Sequence, residues 1–229
     1  MFKEVVKTIL GKSNFKDNSN DPEAVRYRNS EVKRYDVINY LISKYHVQRY
    51  LEIGVLKGDN IRKVNALHKD GVDPGAERHI APEVNYRMTS DAYFELIKDR
   101  SDIQYDLIFI DGLHHADQVQ KDIHNSLNHI TPGGFILLHD CNPVSFESQL
   151  VPRKTMVWNG DPWKAFVAFK GQYPGMQSCV VDTDYGVGVI RVSDLSSKKD
   201  FLVPYWETFD KNRKHYLNLI HWEEFKALY

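Results

Sequence analysis

Short apolar runs alternate along the middle of the chain with segments whose apolar residues recur at helical spacing. Near-continuous apolar runs are typical of strands buried on both faces of a parallel sheet. Strands are predicted at residues 50–53, 69–72, 86–88, 105–110 and 135–138, and the intervening helices at 31–45, 60–67, 92–98 and 117–130. Strict alternation of the two element types predicts an α/β protein.

The pattern changes after residue 170. Two further apolar runs, at 179–182 and 186–192, are joined by only three residues. So short a link forces an antiparallel pair, because a parallel crossover needs a dozen or more residues. We therefore predict a three-layer, Rossmann-like, doubly wound sheet of seven mostly parallel strands with one antiparallel edge strand.

The same pattern divides the chain into three parts. Residues 1–30 are mostly polar and are expected to form an N-terminal surface extension, and residues 31–195 hold the α/β domain. Residues 196–229 are rich in aromatic side chains at helical spacing. They are expected to form a C-terminal helical extension packed on the domain.

Composition excludes several classes of protein. With 229 residues, 42% hydrophobic content and a formal net charge of −1, the chain is expected to be globular, with neither nucleic acid nor membrane as a partner. It shows no membrane-length apolar run, no signal-peptide pattern at its start and only two cysteines. A cytoplasmic location is expected, and homo-oligomerisation is left open.

The most informative stretch, residues 50–58, reads YLEIGVLKG. It predicts a strand, a glycine turn at Gly54 and Gly58, and a helix whose first N–H groups face the turn. The second strand ends at Asp73, 21 residues after Glu52. An acid at about this offset reaches ribose hydroxyls in nucleotide-binding sheets, so a nucleotide-type ligand is predicted.

The same residues bear on which nucleotide binds. Leu56 stands where a dinucleotide fingerprint has its middle glycine, and the Glu52 carboxylate disfavours a pyrophosphate. S-adenosylmethionine, with its sulfonium and ammonium charges, is compatible with that carboxylate. An NAD(P)-dependent oxidoreductase or epimerase and a catalytically silent cofactor-binding module stay open as alternatives, and helix–strand packing alone would also explain the glycines.

Acidic residues follow the predicted strands at one edge of the sheet, where ligands bind in open α/β folds. They are Glu52, Asp73, Asp91, Asp111 and Asp140. Like charges so close together repel, so some of them are expected to meet a cation. The sulfonium of the methyl donor and a divalent metal are the two candidates.

Several short motifs, in this order and spacing, resemble the class I S-adenosylmethionine-dependent methyltransferases over residues 31–195. The likeness is strongest to the bacterial branch that includes sugar O-methyltransferases of antibiotic pathways. The motifs read YLEIGV, GVDP, TSD, DLIFIDGLH, TPGG and LHDCNP, and begin at residues 50, 71, 89, 106, 131 and 138.

The resemblance implies a role for each matching residue. Glu52, Gly54 and Gly58 would form the cradle for the methionine end of S-adenosylmethionine, and Asp73 would bind the ribose. Asp91 would lie by the adenine amine, and Asp111 beneath the sulfonium at the mouth of the acceptor pocket. The acceptor would be a small molecule, a sugar or another hydroxyl compound.

Methylation of a hydroxyl also requires removal of its proton, by a base or with the help of a metal. His114 is the preferred base, ahead of His139 and His115, because a histidine titrates near neutral pH. Asp111, Asp140 and Asn142 offer oxygen ligands for Mg²⁺. Metal-dependent relatives place acids after the same strands, although here Cys141 separates Asp140 from Asn142.

Overall fold

A seven-stranded sheet forms the centre of the computed structural model, which describes residues 15–75, 81–193, 195–196 and 198–229. The strands, in chain order, are β1 (Arg49–Ile53), β2 (His68–Val72), β3 (Tyr105–Ile110), β4 (Ile130–Leu138), β5 (Ser178–Val181), β6 (Val187–Arg191) and β7 (Leu219–Ile220). Their order across the sheet is β2-β1-β3-β4-β6-β5-β7.

Helices cover both faces of the sheet. Numbered along the described residues, they are α1 (Pro22–Arg28), α2 (Arg34–Tyr45), α3 (Ser90–Ile97), α4 (Ala116–Ser126), α5 (Pro162–Gln172), α6 (Trp206–Lys211), α7 (Arg213–Leu217) and α8 (Trp222–Leu228). One buried cluster joins the sheet to α2 and α8, and another joins it to α3, α4 and α5. The predicted three-layer α/β fold is confirmed.

The antiparallel strand lies inside the sheet rather than at its edge. β6 pairs antiparallel with both β4 and β5. The tight β5–β6 connection makes a hairpin, and β6 is the member of that hairpin that pairs with β4. β7, from the C-terminal extension, then pairs parallel with β5 and becomes the edge strand.

The helix predicted over residues 60–67 is wrong, because only a single 3₁₀ turn, Ile61–Lys63, forms there. Neighbouring side chains bind the backbone groups that would have continued it. Asn39 of α2 donates to the Lys63 carbonyl and accepts from the Asn65 N–H, both at 2.8 Å. The Lys69 ammonium binds the carbonyls of residues 61 and 64.

The strand predicted at residues 86–88 is also absent as a strand. Tyr86 makes only an isolated parallel bridge to Val72, at the end of β2. β2 is therefore the sheet's last strand on that side, and the segment leading into α3 crosses its edge as a loop.

Described residues on both sides of 31–195 pack against that segment. Residues 1–14 lie outside the described part of the chain. Tyr27 of α1 is buried and donates its hydroxyl to Asp182 at 2.6 Å. Phe225 of α8 is fully buried against the sheet. Among the described residues, no helix combines the length and apolar character that crossing a bilayer requires.

Candidate functional site

A cavity of about 1080 Å³ opens at the carboxyl ends of β1, β2, β3 and β4. The loops after these strands line it, together with the start of α2, the 156–159 loop and the β5–β6 turn. Ligand pockets commonly measure about 300–1,000 Å³, so this cavity has room for a cofactor and a second molecule side by side.

Gly54 brings the first and third strand-end loops into contact. Its φ is +89°, and a Cβ built on it would lie 2.2 Å from the Asp111 carbonyl oxygen. Gly58, with φ +79°, closes a turn by donating its N–H to the Val55 carbonyl at 2.8 Å. Gly54 and residues 55–57 line the cavity, whereas Gly58 shapes the loop without lining it.

Asp73 is held by backbone at the cavity wall. Its carboxylate accepts from the N–H groups of Leu56 and Gly75 at 2.9 and 2.7 Å. Each carboxylate oxygen keeps a further lone pair for a ligand. The residue predicted to bind ribose therefore faces the cavity in a fixed orientation.

Glu52 is buried behind the glycine turn and accepts from the Tyr50 hydroxyl at 2.6 Å and the Asn60 amide at 2.8 Å. Burial raises its pKa to about 7. The other side-chain atom of Asn60, Oδ1, is buried with no hydrogen-bond partner among the described residues. Leaving such a buried acceptor without a hydrogen bond costs about 1–3 kcal/mol of folding free energy. Sequence reasoning missed Asn60, although it is a polar residue two positions after the second glycine.

Asp91 lies on the first turn of α3, which Thr89 caps. Its carboxylate is half-exposed, lines the cavity and accepts from the Gln118 amide at 2.9 Å. Gln118, from α4, also lines the cavity. Asp91 is thus close enough to a cofactor bound there to contact it, with Gln118 as a second polar contact.

Three carboxylates and three basic side chains meet where β3 and β4 end. Asp111 contacts Arg34 at 2.5 Å, His139 at 3.2 Å and His114 at 3.5 Å. Asp140 contacts His139 at 3.0 Å and His114 at 3.1 Å. Asp184, from the β5–β6 turn, binds Arg34 at 2.8 Å. The cations expected beside the acidic edge are in part supplied by the protein itself.

These contacts set the protonation of the group. Burial alone would raise the pKa of Asp111, but the charges of His139 and Arg34 hold it well below its usual range. Burial and the Arg34 charge oppose protonation of His139, yet Asp140 and Asp111 raise its pKa to about 10. Arg34 and Asp184 were not identified from the sequence, since neither lies at the end of a parallel strand.

His114 and His139 differ in access to the cavity. Both ring nitrogens of His139 are engaged, Nδ1 with Asp140 and Nε2 with the Asp184 carbonyl at 2.7 Å, and its side chain is 4% exposed. His114 is 23% exposed, lines the cavity and stacks on Trp158 at 5.3 Å. His115 precedes α4 at its N-cap and does not line the cavity.

The group does not fit Mg²⁺ as it stands. Asn142 lies outside it: its amide is bound to Tyr27 and Arg213 at 2.5 and 2.7 Å. Asp111, His139 and Asp140 present ligand atoms within 4.8 Å of one another. However, His139 directs Nδ1 at both carboxylates, and Asp111 is paired with Arg34. Mg²⁺ requires oxygen ligands in near-octahedral geometry. The carboxylate groups of Asp111 and Asp140 are already paired with Arg34 and His139.

Comparison with known proteins finds a family match within the chain. Residues 51–141 match the family model described as a methyltransferase domain. No curated protein matches the chain. A putative O-methyltransferase from Klebsiella pneumoniae has the same fold, with a TM-score of 0.51 at 17% identity over 84% of this chain and 96% of its own.

A second solved structure is the O-methyltransferase TomG from Streptomyces achromogenes, which is involved in tomaymycin synthesis and was crystallised with S-adenosylmethionine. Its TM-score is 0.50 at 14% identity over 83% of this chain and 96% of its own. The matched segment, residues 51–141, runs from β1 through β4 and contains the strand-end acids and His114. Residues 51–141 therefore match a methyltransferase domain, and the chain has the fold of these two solved structures.

Proposed function

We propose that the protein transfers the methyl group of S-adenosylmethionine to a hydroxyl of a small molecule, with His114 as the base. The observation that carries the proposal is the position of His114. Its imidazole lines the cavity beside Asp111, while Asp140 and the Asn159 carbonyl lie 3.1 Å from its Nδ1. A histidine oriented in this way through Nδ1 keeps Nε2, which lies 3.5 Å from the Asp111 carboxylate, as the nitrogen that accepts a proton.

The glycine loop supports a sulfonium donor over a dinucleotide. Phosphate sites of dinucleotide-binding folds use the N-terminus of the helix after the glycines. Here that helix is replaced by a 3₁₀ turn. A pyrophosphate would also face the Asp73 carboxylate, which lines the same cavity. The sulfonium of S-adenosylmethionine is attracted by this charge.

The residues of the cavity divide the binding of the donor among them. Asp73 would accept from the ribose hydroxyls, and Asp91 with Gln118 would bind the adenine amine. The methionine end would lie against residues 54–57, where the Asn60 Oδ1 offers an acceptor for the donor's ammonium. Gly54 permits the close approach of the two strand-end loops on which this arrangement depends.

The reaction is an in-line displacement at the methyl carbon. The acceptor oxygen attacks the carbon opposite the sulfur, the carbon–sulfur bond breaks, and S-adenosylhomocysteine leaves. His114 takes the hydroxyl proton as the new bond forms. Much of the rate would come from holding the oxygen and the methyl group in line. His139, with both nitrogens engaged, would act as a positioning residue for Asp111 and Asp140.

The acceptor would lie beside His114, where Trp158 stacks on the imidazole, and Tyr35 and Tyr185 add aromatic surface to the same cavity. Aromatic faces suit the apolar faces of sugar rings and other cyclic hydroxyl compounds. The exposed side chains of Leu113 and Met156 add apolar surface at the same cavity. A sugar or another cyclic hydroxyl compound is therefore the acceptor class that we propose.

Asp73→Ala is expected to weaken binding of S-adenosylhomocysteine by about 1–3 kcal/mol, because charge-assisted hydrogen bonds to the ribose are lost. Calorimetry measures the affinity, with exposed Asp102→Ala as the matched control. The wild type should prefer S-adenosylhomocysteine to its 2′-deoxy analogue by a margin that the variant lacks. An equal margin in both proteins would remove Asp73 from the ribose site.

Transfer of labelled methyl groups to a panel of sugars and phenols tests the activity itself. We expect turnover with at least one cyclic hydroxyl acceptor and none with the matching O-methylated compound. Binding of S-adenosylmethionine without any turnover across the panel would favour a silent cofactor-binding module. Binding of NAD with reduction or epimerisation of a substrate would favour the oxidoreductase alternative.

A further inference from the structure

Arg34 places a permanent positive charge inside the acidic group at the end of β3. It is the first residue of α2, and it is 26% exposed. Its Nη1 lies 2.5 Å from Asp111, and its Nε lies 2.8 Å from Asp184. Its backbone N–H also donates to Asp184, at 3.0 Å. Arg34 is thus fixed at three points between two carboxylates, two of them on its guanidinium.

Arg34 lies beside the position that a divalent cation would need, because the two would share the Asp111 carboxylate. The carboxylates of Asp111 and Asp140 are the two oxygen donors of the candidate metal group. Arg34 holds Asp111 directly, and His139 bridges Asp111 and Asp140. A metal entering here would have to displace Arg34 or lie against it. Two positive charges in contact repel even in water.

We propose that Arg34 takes the place of a metal ion in this methyltransferase: it offsets part of the charge of Asp111 and Asp184 and faces the acceptor oxygen. Its part in methyl transfer rests on the function proposed above, whereas its exclusion of a metal does not. The enzyme would accordingly bind no divalent cation at Asp111 and Asp140 and would need none for turnover.

A guanidinium is suited to both tasks. It stays charged at all relevant pH values and carries five N–H donors in a rigid plane. Among the described residues, Asp111 and Asp184 engage three of these donors, one of them at the limiting distance of 3.5 Å. Arg34 also lines the cavity. The remaining N–H groups can donate to an acceptor oxygen as it becomes negatively charged, which is the stabilisation that a metal would supply.

Replacing Arg34 should therefore create the metal site that the wild type lacks. In Arg34→Met the stem is kept and the charge is removed, which leaves Asp111, Asp140 and Asp184 with less compensation. Mn²⁺, which prefers the same oxygen ligands as Mg²⁺, is titrated into each protein and followed by electron paramagnetic resonance. We expect Arg34→Met to bind Mn²⁺ at least about tenfold more tightly than the wild type.

Two control variants distinguish the loss of the Arg34 charge from a general structural effect of the substitution. Arg34→Lys keeps the charge and should bind Mn²⁺ as weakly as the wild type. Adding Asp140→Asn to Arg34→Met should abolish the new site. The wild type tests the proposal even if the Met variant does not fold: tight Mn²⁺ binding that Asp140→Asn removes would overturn it. Weak binding there, with turnover unaffected by EDTA, would support it.

The metal titration is independent of methyl transfer. If Mn²⁺ binding follows the Arg34 charge but no acceptor is methylated, the proposed function fails and the exclusion of metal stands. If methyl transfer occurs and EDTA abolishes it, the proposed function stands and the role of Arg34 is wrong.

Discussion

His114→Gln is expected to lower kcat by about 10²–10⁴-fold, the usual contribution of a general base. Glutamine keeps a polar side chain of similar reach but cannot accept the hydroxyl proton. Binding of S-adenosylmethionine should change little, because the residues that would bind the donor are untouched. His115→Gln is the matched control: its ring lies next in sequence but off the cavity, and its kcat should stay near the wild-type value. Equal losses in the two variants would remove His114 from catalysis.

The pH dependence adds a signature that a structural role would not produce. Burial opposes the charge on His114, but Asp140 and Asp111 outweigh it and raise the pKa above the usual 6.5. A base must be neutral to act, so kcat/KM for S-adenosylmethionine should fall as the pH drops through this raised pKa. The decline should begin above pH 6.5 and should be absent from the residual activity of His114→Gln.

Gly54→Ala is expected to destabilise the protein by about 3–5 kcal/mol, combining left-handed backbone strain with overpacking. The added methyl group would meet the Asp111 carbonyl at 2.2 Å and the Gly112 Cα at 2.5 Å. Backbone atoms of two adjacent parallel strands would have to separate, so the cofactor site would open at its base. Thermal unfolding and S-adenosylhomocysteine calorimetry measure the two consequences.

Gly133→Ala is the control that isolates strain from contact. Gly133 has φ +80°, similar to Gly54, but a Cβ there would have no atom within 4 Å. It should lose only about 1–2 kcal/mol, the cost of left-handed backbone, and should bind S-adenosylhomocysteine normally. If the two alanine variants unfold at the same temperature, close packing at Gly54 is not the reason for its glycine.

The parallel strands were predictable because their signal is local. β3, with its sequence YDLIFI, lies where a run of buried apolar residues predicts it. Ligands of open α/β sheets bind at the carboxyl ends of the strands. The acids at the ends of β1, β2 and β3 were therefore predicted to lie at the ligand site. The relative direction of β5 and β6 was predicted from the short link between them, and the structure has the expected antiparallel pair.

The missing helix after β1 shows that apolar spacing along the chain does not by itself determine whether a helix forms. Residues 60–67 have helical apolar spacing, but Asn39, more than 20 residues earlier, binds the backbone that the helix would use. A tertiary contact outweighed a weak propensity. The antiparallel edge was misplaced for a similar reason, since the last edge position is filled by β7 from the far end of the chain.

The sequence predicted the acids at the ends of β3 and β4 in the candidate site, but it did not predict their partner Arg34 or the acid Asp184. Asp111 and Asp140 directly follow strands, whereas Arg34 lies ahead of β1 and Asp184 in a hairpin turn. Only the fold brings Arg34 to Asp111, 77 residues away. Asn142 was predicted as a metal ligand because it follows Asp140 closely in sequence. In the structure its side chain forms hydrogen bonds with Tyr27 and Arg213 instead.

The central claim is that the cavity at the strand ends holds an adenosyl sulfonium donor, and calorimetry tests it most directly. S-adenosylmethionine, S-adenosylhomocysteine and NAD are titrated into the wild-type protein under one set of conditions. We predict saturable one-to-one binding of the first two, with weaker binding in Asp73→Ala, and no heat from NAD. Binding of NAD with no response to either adenosyl compound would contradict the account.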